Sequence, residues 1–297
     1  VDYIAGSFVR KPADILAIKE VLEENNGADI KVIAKIENRE GLDNIDGIIK
    51  VADGIMVARG DLGVEIPAEE VPIAQKSIIK KCNEAGKPVI IATQMLDSMI
   101  ENPRPTRAET SDVANAIYDG TDAIMLSGET AMGRYPLESL QTMNTIAQRI
   151  EDSIDYKGAF EKRVAGEKPS VTNAISHATC SIAYDLEARA IVTATRSGHT
   201  ARMVSKYRPD SNIIAATPKE SVYRELSLVW GVYPHISYDM ESTDKMLEKS
   251  AEVAVSTGIV KDGDVVVITA GVPIGISGTT NLIKVSIIGE TGNQTDD

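Results

Sequence analysis

Short apolar, β-branched runs alternate with stretches of helical length along the first half of the chain, and this rhythm constrains the fold more than any other feature. The runs fall at 2–9, 31–37, 54–61, 88–96 and 122–129. Helices are predicted between them, near 12–25, 39–50, 69–86, 105–119 and 136–155. Continuously apolar strands separated by helices are typical of parallel βα units. The pattern therefore predicts an α/β fold with five βα units, and it does not distinguish a barrel from an open sheet.

A second α/β region follows a break in this rhythm. Residues 156–170 are charged, contain two glycines and a proline, and show little periodicity, so we interpret them as a linker or domain edge. The elements predicted beyond it are strands at 189–195, 212–217, 232–237 and 264–271, and helices near 171–187, 199–206, 219–229 and 241–257. The predicted domains are therefore 1–155 and 171–297, joined by 156–170.

Charge and composition exclude several classes of partner. The net charge is −13, the wrong sign for a protein that binds a phosphate backbone, and aromatic residues make up only 4% of the chain, too few for a base-stacking surface. No apolar run approaches the length of a membrane span. Cys82 and Cys180 are far apart and fit no disulfide or metal motif. We expect a cytoplasmic protein with neither nucleic acid nor membrane as a partner.

Polar residues cluster at the predicted carboxyl ends of four successive strands, which is the edge where parallel α/β folds build their sites. A single polar residue there would simply mark where a strand meets solvent, but four successive ends favour a site. The cluster comprises Lys35, Glu37, Arg59, Gly60, Asp61, Thr93, Gln94, Ser127 and Glu129.

Glu37 and Asp61 are a candidate ligand pair for a hard cation. Two carboxylates from neighbouring strand ends can hold Mg²⁺ or Mn²⁺ and leave other positions to water and substrate oxygens. Lys35 lies two residues before Glu37, so both side chains point to the same face of the strand. A lysine beside a metal would neutralise charge on a transferring phosphoryl group or a developing enolate. A buried Lys35–Glu37 salt bridge without a metal explains the same spacing equally well.

Loops in both halves have features of an anion site. Gly60 allows close approach of the backbone to a ligand, and exposed N–H groups there could bind a carboxylate. Residues 195–200 combine hydroxyls, a glycine and a cation where a strand gives way to a helix, although an N-cap turn without a ligand is the simpler interpretation. A second loop, 271–281, could face it.

Thr106 and Glu109 have the spacing of a capping box.

Long motifs give the chain a specific resemblance to a known family. The segments KIEN (35–38), MVARGDLGVEIP (56–67), ATQMLDSM (92–99), PRPTRAETSDVANA (103–116) and IMLSGETAMGRYP (124–136) resemble pyruvate kinase nearly residue for residue. The segments VTATRSGHTARMVSKYRP (192–209) and GDVVVITAGVP (263–273) are similar to the C-terminal domain of its bacterial form. The resemblance covers essentially the whole chain, in matching order and spacing.

The resemblance implies a fold and an activity. Residues 1–155 would be the last five βα units of a TIM (β/α)8 barrel, and 171–297 a smaller α/β domain that binds an effector. The family reaction in glycolysis moves the phosphoryl group of phosphoenolpyruvate to ADP, giving pyruvate and ATP, with Mg²⁺ or Mn²⁺ and with K⁺. The full-length enzyme would be a homotetramer with residues 103–116 near a subunit interface.

The resemblance also implies roles for individual residues. Lys35 would stabilise the phosphoryl group in flight, and Thr93 would help to orient the group that protonates the enolate. Glu37 and Asp61 would bind the divalent cation. The residues implied in substrate binding are Ala58, Arg59 and Gly60, through their backbone, with Thr93 and Ser127. Those implied in binding the phosphate of a sugar-phosphate or nucleotide effector are Thr195, Arg196, Ser197, Gly198, His199 and Thr200.

The chain departs from the family pattern in one large respect. The part that precedes the fourth barrel strand in relatives is absent, and with it a phosphate-binding arginine, the K⁺ ligands, most nucleotide contacts and a small lid domain. Five strands leave two unpaired edges, so we expect the chain to be inactive on its own. Two alternatives stay open: a metal-dependent 2-oxoacid aldolase, and a non-catalytic fragment that binds an effector.

Overall fold

The first unit of the chain, Val1–Ile154, repeats a strand followed by helix five times. Its strands are β1 (Tyr3–Gly6), β2 (Lys31–Ile36), β3 (Gly54–Ala58), β4 (Val89–Ala92) and β5 (Ala123–Met125). Its helices are α1 (Pro12–Glu24), α2 (Arg39–Asp43), α3 (Ile45–Val51), α4 (Arg59–Glu65), α5 (Val71–Ala85), α6 (Arg107–Tyr118), α7 (Gly128–Ala131) and α8 (Pro136–Glu151), with short 3-10 turns at Ala68–Glu70 and Asp97–Ile100. The computed structural model describes residues 1–163, 169–238, 242–273 and 278–290.

The five strands form one parallel sheet in the order β1-β2-β3-β4-β5. In a doubly wound sheet the order of the strands reverses at a switch point, whereas in this sheet each strand lies beside the strand that precedes it in the sequence. Sequential parallel order is the topology of a (β/α)8 barrel, and five units make a partial one. The predicted fold class is confirmed, and the choice between barrel and open sheet, which the sequence pattern left undecided, is settled by strand order.

Strand alternation sorts the residues of this sheet onto two faces. On β2, Val32, Ala34 and Ile36 join the buried cluster beneath the helices. Successive side chains of a strand point to opposite faces, so Ile33 and Lys35 face away from that cluster. The candidate lysine therefore lies on the face that lines the interior of a barrel.

The second unit, Asp155–Asp297, is a separate α/β layer structure. Its strands are β6 (Ala190–Ala194), β7 (Asn212–Thr217), β8 (Val232–Ile236), β9 (Val265–Ala270) and β10 (Leu282–Ile287). Its helices are α9 (Tyr156–Arg163), α10 (Val171–Asp185), α11 (His199–Ser205), α12 (Glu220–Leu226) and α13 (Thr243–Ser256). Two buried clusters lie on the two faces of the sheet. None of the helices within the described ranges has both the length and the apolar character needed to cross a membrane.

The strand order of the second sheet is β10-β9-β6-β7-β8. The chain adds β7 and β8 on one side of β6 and then returns to add β9 on the other, so the order reverses between β6 and β9. Strand β10 pairs antiparallel with β9 and was not predicted. It is an edge strand whose sequence mixes apolar and polar residues, which gives a weaker pattern than the apolar runs of the central strands.

Helix α9 lies in the segment 156–170 that the sequence predicts as a linker or domain edge. It packs into the second unit through Phe160, which is buried and stacks on His177 with ring centroids 5.0 Å apart. The rings of Tyr184 and Tyr207 lie 5.2 and 6.1 Å from that of Phe160. Tyr156 of the same helix packs on Trp230 with ring centroids 5.8 Å apart, so two aromatic side chains anchor a helix that shows too little apolar periodicity to be recognised.

Several predicted boundaries need correction. The strands predicted to end at 9, 61, 96 and 129 end earlier, at Gly6, Ala58, Ala92 and Met125. Helix α4 takes over directly after β3, buried Met95 and Leu96 prolong the apolar run into the loop after β4, and α7 begins at Gly128. The helix predicted over 39–50 is two helices that meet at Asn44, which ends α2 and begins α3.

Candidate functional site

Every site residue predicted in the first unit lies at the carboxyl edge of its sheet, where neighbouring βα loops converge. The register sets Ile36 opposite Val57 and Ala58 opposite Ala92, so the strand ends are level with one another. The residues are Lys35 in β2, Glu37 after it, Ala58 at the end of β3, Arg59, Gly60 and Asp61 in the first turn of α4, Thr93 after β4 and Ser127 after β5.

Lys35 and Glu37 form an ion pair at the end of β2. Lys35 Nζ lies 2.5 Å from Glu37 Oε1 and 3.1 Å from the hydroxyl of Ser7. Glu37 is only 1% exposed, and its other oxygen accepts a hydrogen bond from the amide of Phe8. Phe8 has φ of 53°, a left-handed conformation that bulky residues rarely adopt. The salt bridge that the spacing allowed is therefore present, and it ties the loop after β1 to the end of β2.

Asp61 has a different environment from Glu37. Its carboxylate is exposed, and across the part of the chain that the structure describes it forms no hydrogen bond or ion pair. The described residues also contain no group of three or more His, Cys, Asp or Glu side chains placed to hold a metal. Two carboxylates on adjacent strand ends are the oxygen donors that Mg²⁺ and Mn²⁺ prefer, with the remaining positions left to water and substrate. Glu37 and Asp61 are donors of this kind, and both oxygens of Glu37 are engaged by Lys35 and the amide of Phe8 in this structure.

The loop after β4 brings Thr93 against Gly60. The amide of Gly60 donates to Thr93 Oγ1 across 2.8 Å, and the same hydroxyl donates to the carbonyl of Ala92 across 2.6 Å. Thr93 and Gln94 have φ of 68° and 55°, two consecutive left-handed residues without glycine. Such conformations cost on the order of 1–3 kcal/mol each and concentrate at functional sites. A Cβ at position 60 would lie 3.3 Å from Thr93 Oγ1, so glycine gives the room for this contact.

The side chain of Arg59 is buried. Its Nη1 pairs with Asp112 at 2.6 Å, and its Nη2 donates to the carbonyls of Thr93 and Gln94 at 2.8 and 3.2 Å. Both terminal nitrogens of the guanidinium are thereby held by protein acceptors, and its buried Nε has no hydrogen-bond partner among the described residues. Asp112 was not among the predicted site residues, and no local spacing signals a pair 53 positions apart.

Ser127 is positioned by a second buried carboxylate. Glu129 accepts from the amide of Ser127 at 2.8 Å and from the amide of Leu96 at 3.0 Å, and it is 1% exposed. It therefore joins the loop after β5 to the loop after β4. The sequence placed Glu129 in the strand-end cluster but gave it no role.

In the second unit, the predicted anion loop lies at the switch point of the sheet. Residues 195–198 follow β6, and the loop 271–281 follows β9 on the other side of the reversal. The two loops touch through the hydroxyls of Thr200 and Thr280, which are 3.0 Å apart. Ligands of open α/β sheets bind outside the carboxyl ends of strands at such a reversal. Residues 274–277 of the second loop lie outside the described residues.

Individual residues of this anion loop have distinct partners. The amide of Thr195 donates to the carbonyl of Ala216 at 3.0 Å, and Gly198 adopts φ of 76° before α11. Arg202 donates to the carbonyl of Ser197 at 2.6 Å, which fixes the turn. Burial lowers the pKa of His199 below its usual value, and the Arg202 guanidinium lowers it further. The imidazole is therefore neutral at pH 7.

Two family models together match most of the chain. The model of the pyruvate kinase barrel domain matches residues 1–140, and that of the pyruvate kinase alpha/beta domain matches residues 173–286. The chain is 60% identical to a pyruvate kinase of Bacillus licheniformis over 98% of its own length and 49% of the relative. It is 58% identical to a pyruvate kinase of Clostridium acetobutylicum over 97% of its length and 61% of the relative.

A pyruvate kinase of Geobacillus stearothermophilus is 57% identical over 98% of this chain and 49% of the relative. The chain thus spans about half the length of most of the relatives it matches. Both of its units are matched, in the order barrel domain then α/β domain. The chain belongs to the pyruvate kinase family.

Proposed function

We propose that this chain forms part of a phosphotransferase that moves the phosphoryl group of phosphoenolpyruvate to ADP, giving pyruvate and ATP. Membership of the family supports the reaction, and the edge of the first sheet supplies suitable groups. The observation that carries the proposal is the convergence there of a lysine, two carboxylates and the Gly60–Thr93 pair. Phosphoryl transfer depends on positioning and charge neutralisation more than on covalent chemistry, and these groups provide both.

Glu37 and Asp61 would hold the divalent cation. Mg²⁺ or Mn²⁺, when bound, supplies Lewis-acid neutralisation of the oxygens of the substrate. Lys35 lies 2.5 Å from Glu37, so its ammonium sits where it stabilises negative charge on a phosphoryl group next to that carboxylate. The resemblance implies K⁺ as well, with ligands outside this chain.

The carboxylate of the substrate would bind at the Gly60–Thr93 pair. The amide of Gly60 now donates to the hydroxyl of Thr93 across 2.8 Å, and that hydroxyl donates to the carbonyl of Ala92, so a substrate carboxylate that accepts from both groups would replace these two bonds. The backbone of Ala58 and Arg59 borders this position, and Ser127 lies at the neighbouring strand end. Thr93 would then also orient the group that protonates the enolate.

The same geometry supports inactivity of the chain on its own. Strands β1 and β5 each have a neighbour on one side only, so the sheet is an open arc with two unpaired edges. A closed eight-stranded barrel needs more strands than these five. We therefore propose that catalysis requires the longer protein.

The test is formation of pyruvate from phosphoenolpyruvate, ADP and Mg²⁺, measured by coupled reduction of pyruvate. The full-length protein should turn over, and Lys35→Met in it should lower kcat by about 10²- to 10³-fold. Lys80→Met is the matched control, because Lys80 is exposed and, among the described residues, pairs only with Glu84 across 3.9 Å. Unchanged turnover in Lys35→Met would refute the assignment. Pyruvate release from a hydroxylated 2-oxoacid without ADP would support the aldolase alternative instead.

We infer that the second unit binds a phosphorylated effector between its two switch-point loops. The support is the contact between Thr200 and Thr280, which brings residues 195–200 and the loop after β9 together. Arg196 adds a positive charge to that loop. Calorimetric titration of the chain with a sugar phosphate and a nucleoside monophosphate tests this. Binding that Ser197→Ala does not weaken would contradict it, and binding without any Mn²⁺ affinity would favour a purely regulatory chain.

We also propose that the enzyme is a cytoplasmic homotetramer. The segment 101–106 before α6 is exposed apart from half-buried Pro105, and Val64 and Ile73 are exposed apolar residues, so these surfaces are available for subunit contacts. Both thiols are free and buried, as suits a reducing compartment. Sedimentation of the full-length protein, with Val64→Asp as an interface variant, tests the assembly.

A further inference from the structure

The first two turns of α6 present two carboxylates on one face, Glu109 and Asp112. Residues three apart on a helix lie side by side. Asp112 pairs with Arg59, whose guanidinium binds the carbonyls of Thr93 and Gln94. Through this relay, helix α6 contacts the start of the loop that follows β4.

Glu109 contacts the other end of the same loop directly. Its carboxylate accepts from the amide and the hydroxyl of Ser98, both at 2.6 Å. It also accepts from the amide of Thr106 at 2.7 Å and from its hydroxyl at 2.8 Å, and the hydroxyl of Thr106 accepts from the amide of Glu109. A capping box needs only the contacts with Thr106. The two bonds to Ser98, eleven positions earlier, serve something other than the helix end.

The loop that these contacts hold is the strained one. Thr93 and Gln94 are both left-handed, and threonine is β-branched, so the conformation persists only where surrounding contacts impose it. Arg59 holds the start of this loop through the carbonyls of Thr93 and Gln94. Glu109 holds its end through the amide and the hydroxyl of Ser98. Together the two carboxylates of α6 anchor both ends of residues 93–98.

We propose that Glu109 is a positioning residue that holds the loop after β4 so that the hydroxyl of Thr93 meets the amide of Gly60. It touches neither of these groups and acts through Ser98 and the loop. The functional meaning of this role rests on the proposed function, since it presumes that Thr93 belongs to the substrate site. The conformational role can be measured without any catalysis.

The electrostatic state of Glu109 suits this role. Burial raises the pKa of Glu109, but the hydrogen bonds from Ser98 and Thr106 lower it by more, and the net pKa lies below its usual value. The group is therefore a carboxylate at neutral pH and accepts from all four donors.

The test compares three variants of this chain by NMR. Glu109→Gln replaces one acceptor oxygen by a donor, Ser98→Ala removes the hydroxyl bond and leaves the capping box intact, and Thr106→Ala weakens the cap and leaves both bonds to Ser98. The readouts are the ¹³C shifts of Thr93 and Gln94, which report left-handed backbone, and hydrogen exchange of the Gly60 amide.

We expect Glu109→Gln to move the shifts of Thr93 and Gln94 toward ordinary values and to speed exchange at Gly60 by about tenfold. Ser98→Ala should change the same shifts and the same exchange rate by a smaller amount. Thr106→Ala should lower the stability of the protein and leave those shifts and that exchange rate unchanged. Wild-type shifts in both Glu109→Gln and Ser98→Ala, or an equal change in Thr106→Ala, would overturn the proposal. If Glu109→Gln does not fold, the comparison of Ser98→Ala with Thr106→Ala is sufficient to test the proposal.

Kinetics of the full-length protein separate this proposal from the proposed function. If the reaction is as proposed, Glu109→Gln should raise KM for phosphoenolpyruvate and lower kcat, and Glu109→Asp should recover part of both. A protein without kinase activity but with the expected NMR changes would refute the proposed function and leave the positioning of the loop established.

Discussion

Lys35 Nζ and Glu37 Oε1 lie 2.5 Å apart, and the two side chains differ sharply in their access to water: Lys35 is 23% exposed and Glu37 only 1%. The ion pair is therefore asymmetric. The lysine can turn toward solvent if it loses its partner, whereas the carboxylate cannot. The amide of Phe8 is the only other described group that donates a hydrogen bond to Glu37.

This asymmetry predicts unequal costs for the two halves of the pair. Lys35→Met should lower the free energy of unfolding of the first unit by about 3 kcal/mol, because it leaves a buried charge uncompensated. Glu37→Gln should cost only about 1 kcal/mol, since glutamine keeps an acceptor for Phe8 and the lysine reaches water. Urea denaturation followed in ¹H–¹⁵N spectra reports the two units separately. A larger loss for Glu37→Gln than for Lys35→Met would contradict the asymmetry.

A double variant checks the physical reason. Lys35→Met with Glu37→Leu removes both charges and should recover most of the stability lost in Lys35→Met alone. Lys80→Met serves as the surface control, because its pair with Glu84 is exposed and should contribute less than about 1 kcal/mol.

The two phenylalanines of the chain make a matched pair for testing the docking of α9. Phe160→Ala should destabilise the second unit by about 3–5 kcal/mol, because a buried aromatic side chain is deleted. Phe8→Ala should change the stability of the first unit by less than about 0.5 kcal/mol, because Phe8 is 60% exposed. Trp230, the single tryptophan, lies in the second unit and reports its unfolding by fluorescence. Equal effects of the two variants would mean that α9 is not docked.

The neutral state of His199 predicts a pH dependence. Its pKa is lower in the folded protein than in the unfolded chain, so the unfolded chain binds more protons as the pH falls through the ordinary value of 6.5. The contribution of this group to the stability of the second unit should therefore decrease as the pH falls through 6.5 and stop decreasing below the folded pKa.

His199→Gln should remove that part of the acid sensitivity. The chain has three histidines, so an NMR titration can assign each imidazole. A midpoint for His199 at or above 6.5 would contradict this prediction, whereas a rise on adding inorganic phosphate would support an anion close to the ring.

Both cysteine thiols should be inert in the folded chain. Cys82 and Cys180 are fully buried, and burial raises the pKa of each thiol far above its usual value. Since the thiolate is the reactive form, neither should react with a disulfide reagent at pH 8. Urea should release two reactive thiols per chain. Reaction of either thiol within minutes in native buffer would show that its unit opens readily.

The sequence predicts the elements of this fold better than their arrangement. Apolar runs locate nine of the ten strands found in the described residues, because buried parallel strands are continuously apolar. The order of strands in the two sheets depends on long-range pairing, so similar patterns produce a sequential arc in one unit and a reversal between β6 and β9 in the other. Strand β10 escapes prediction because an antiparallel edge strand is only half covered.

In the candidate site, too, contacts between residues close in sequence can be predicted and long-range contacts cannot. Lys35 and Glu37 are two positions apart on one strand, and the Thr106–Glu109 capping box is a local motif, so both follow from spacing. The pairing of Arg59 with Asp112 and the hydrogen bonds that Ser98 donates to Glu109 depend on long-range contacts and are seen only in the folded chain. Residue type alone gave Arg59 a place in the site, but only the contacts show that its guanidinium serves the loop at Thr93 and Gln94.

The strand order of the two sheets has a consequence for biosynthesis. In the first unit each strand pairs with the one made just before it, so this arc can grow in step with the emerging polypeptide, and its contacts are local in sequence. In the second unit, β6 keeps one flank without its neighbour until Val265–Ala270 has left the ribosome. The second unit must therefore finish folding late, and the interval before β9 arrives is when its central strand is most exposed to misassociation.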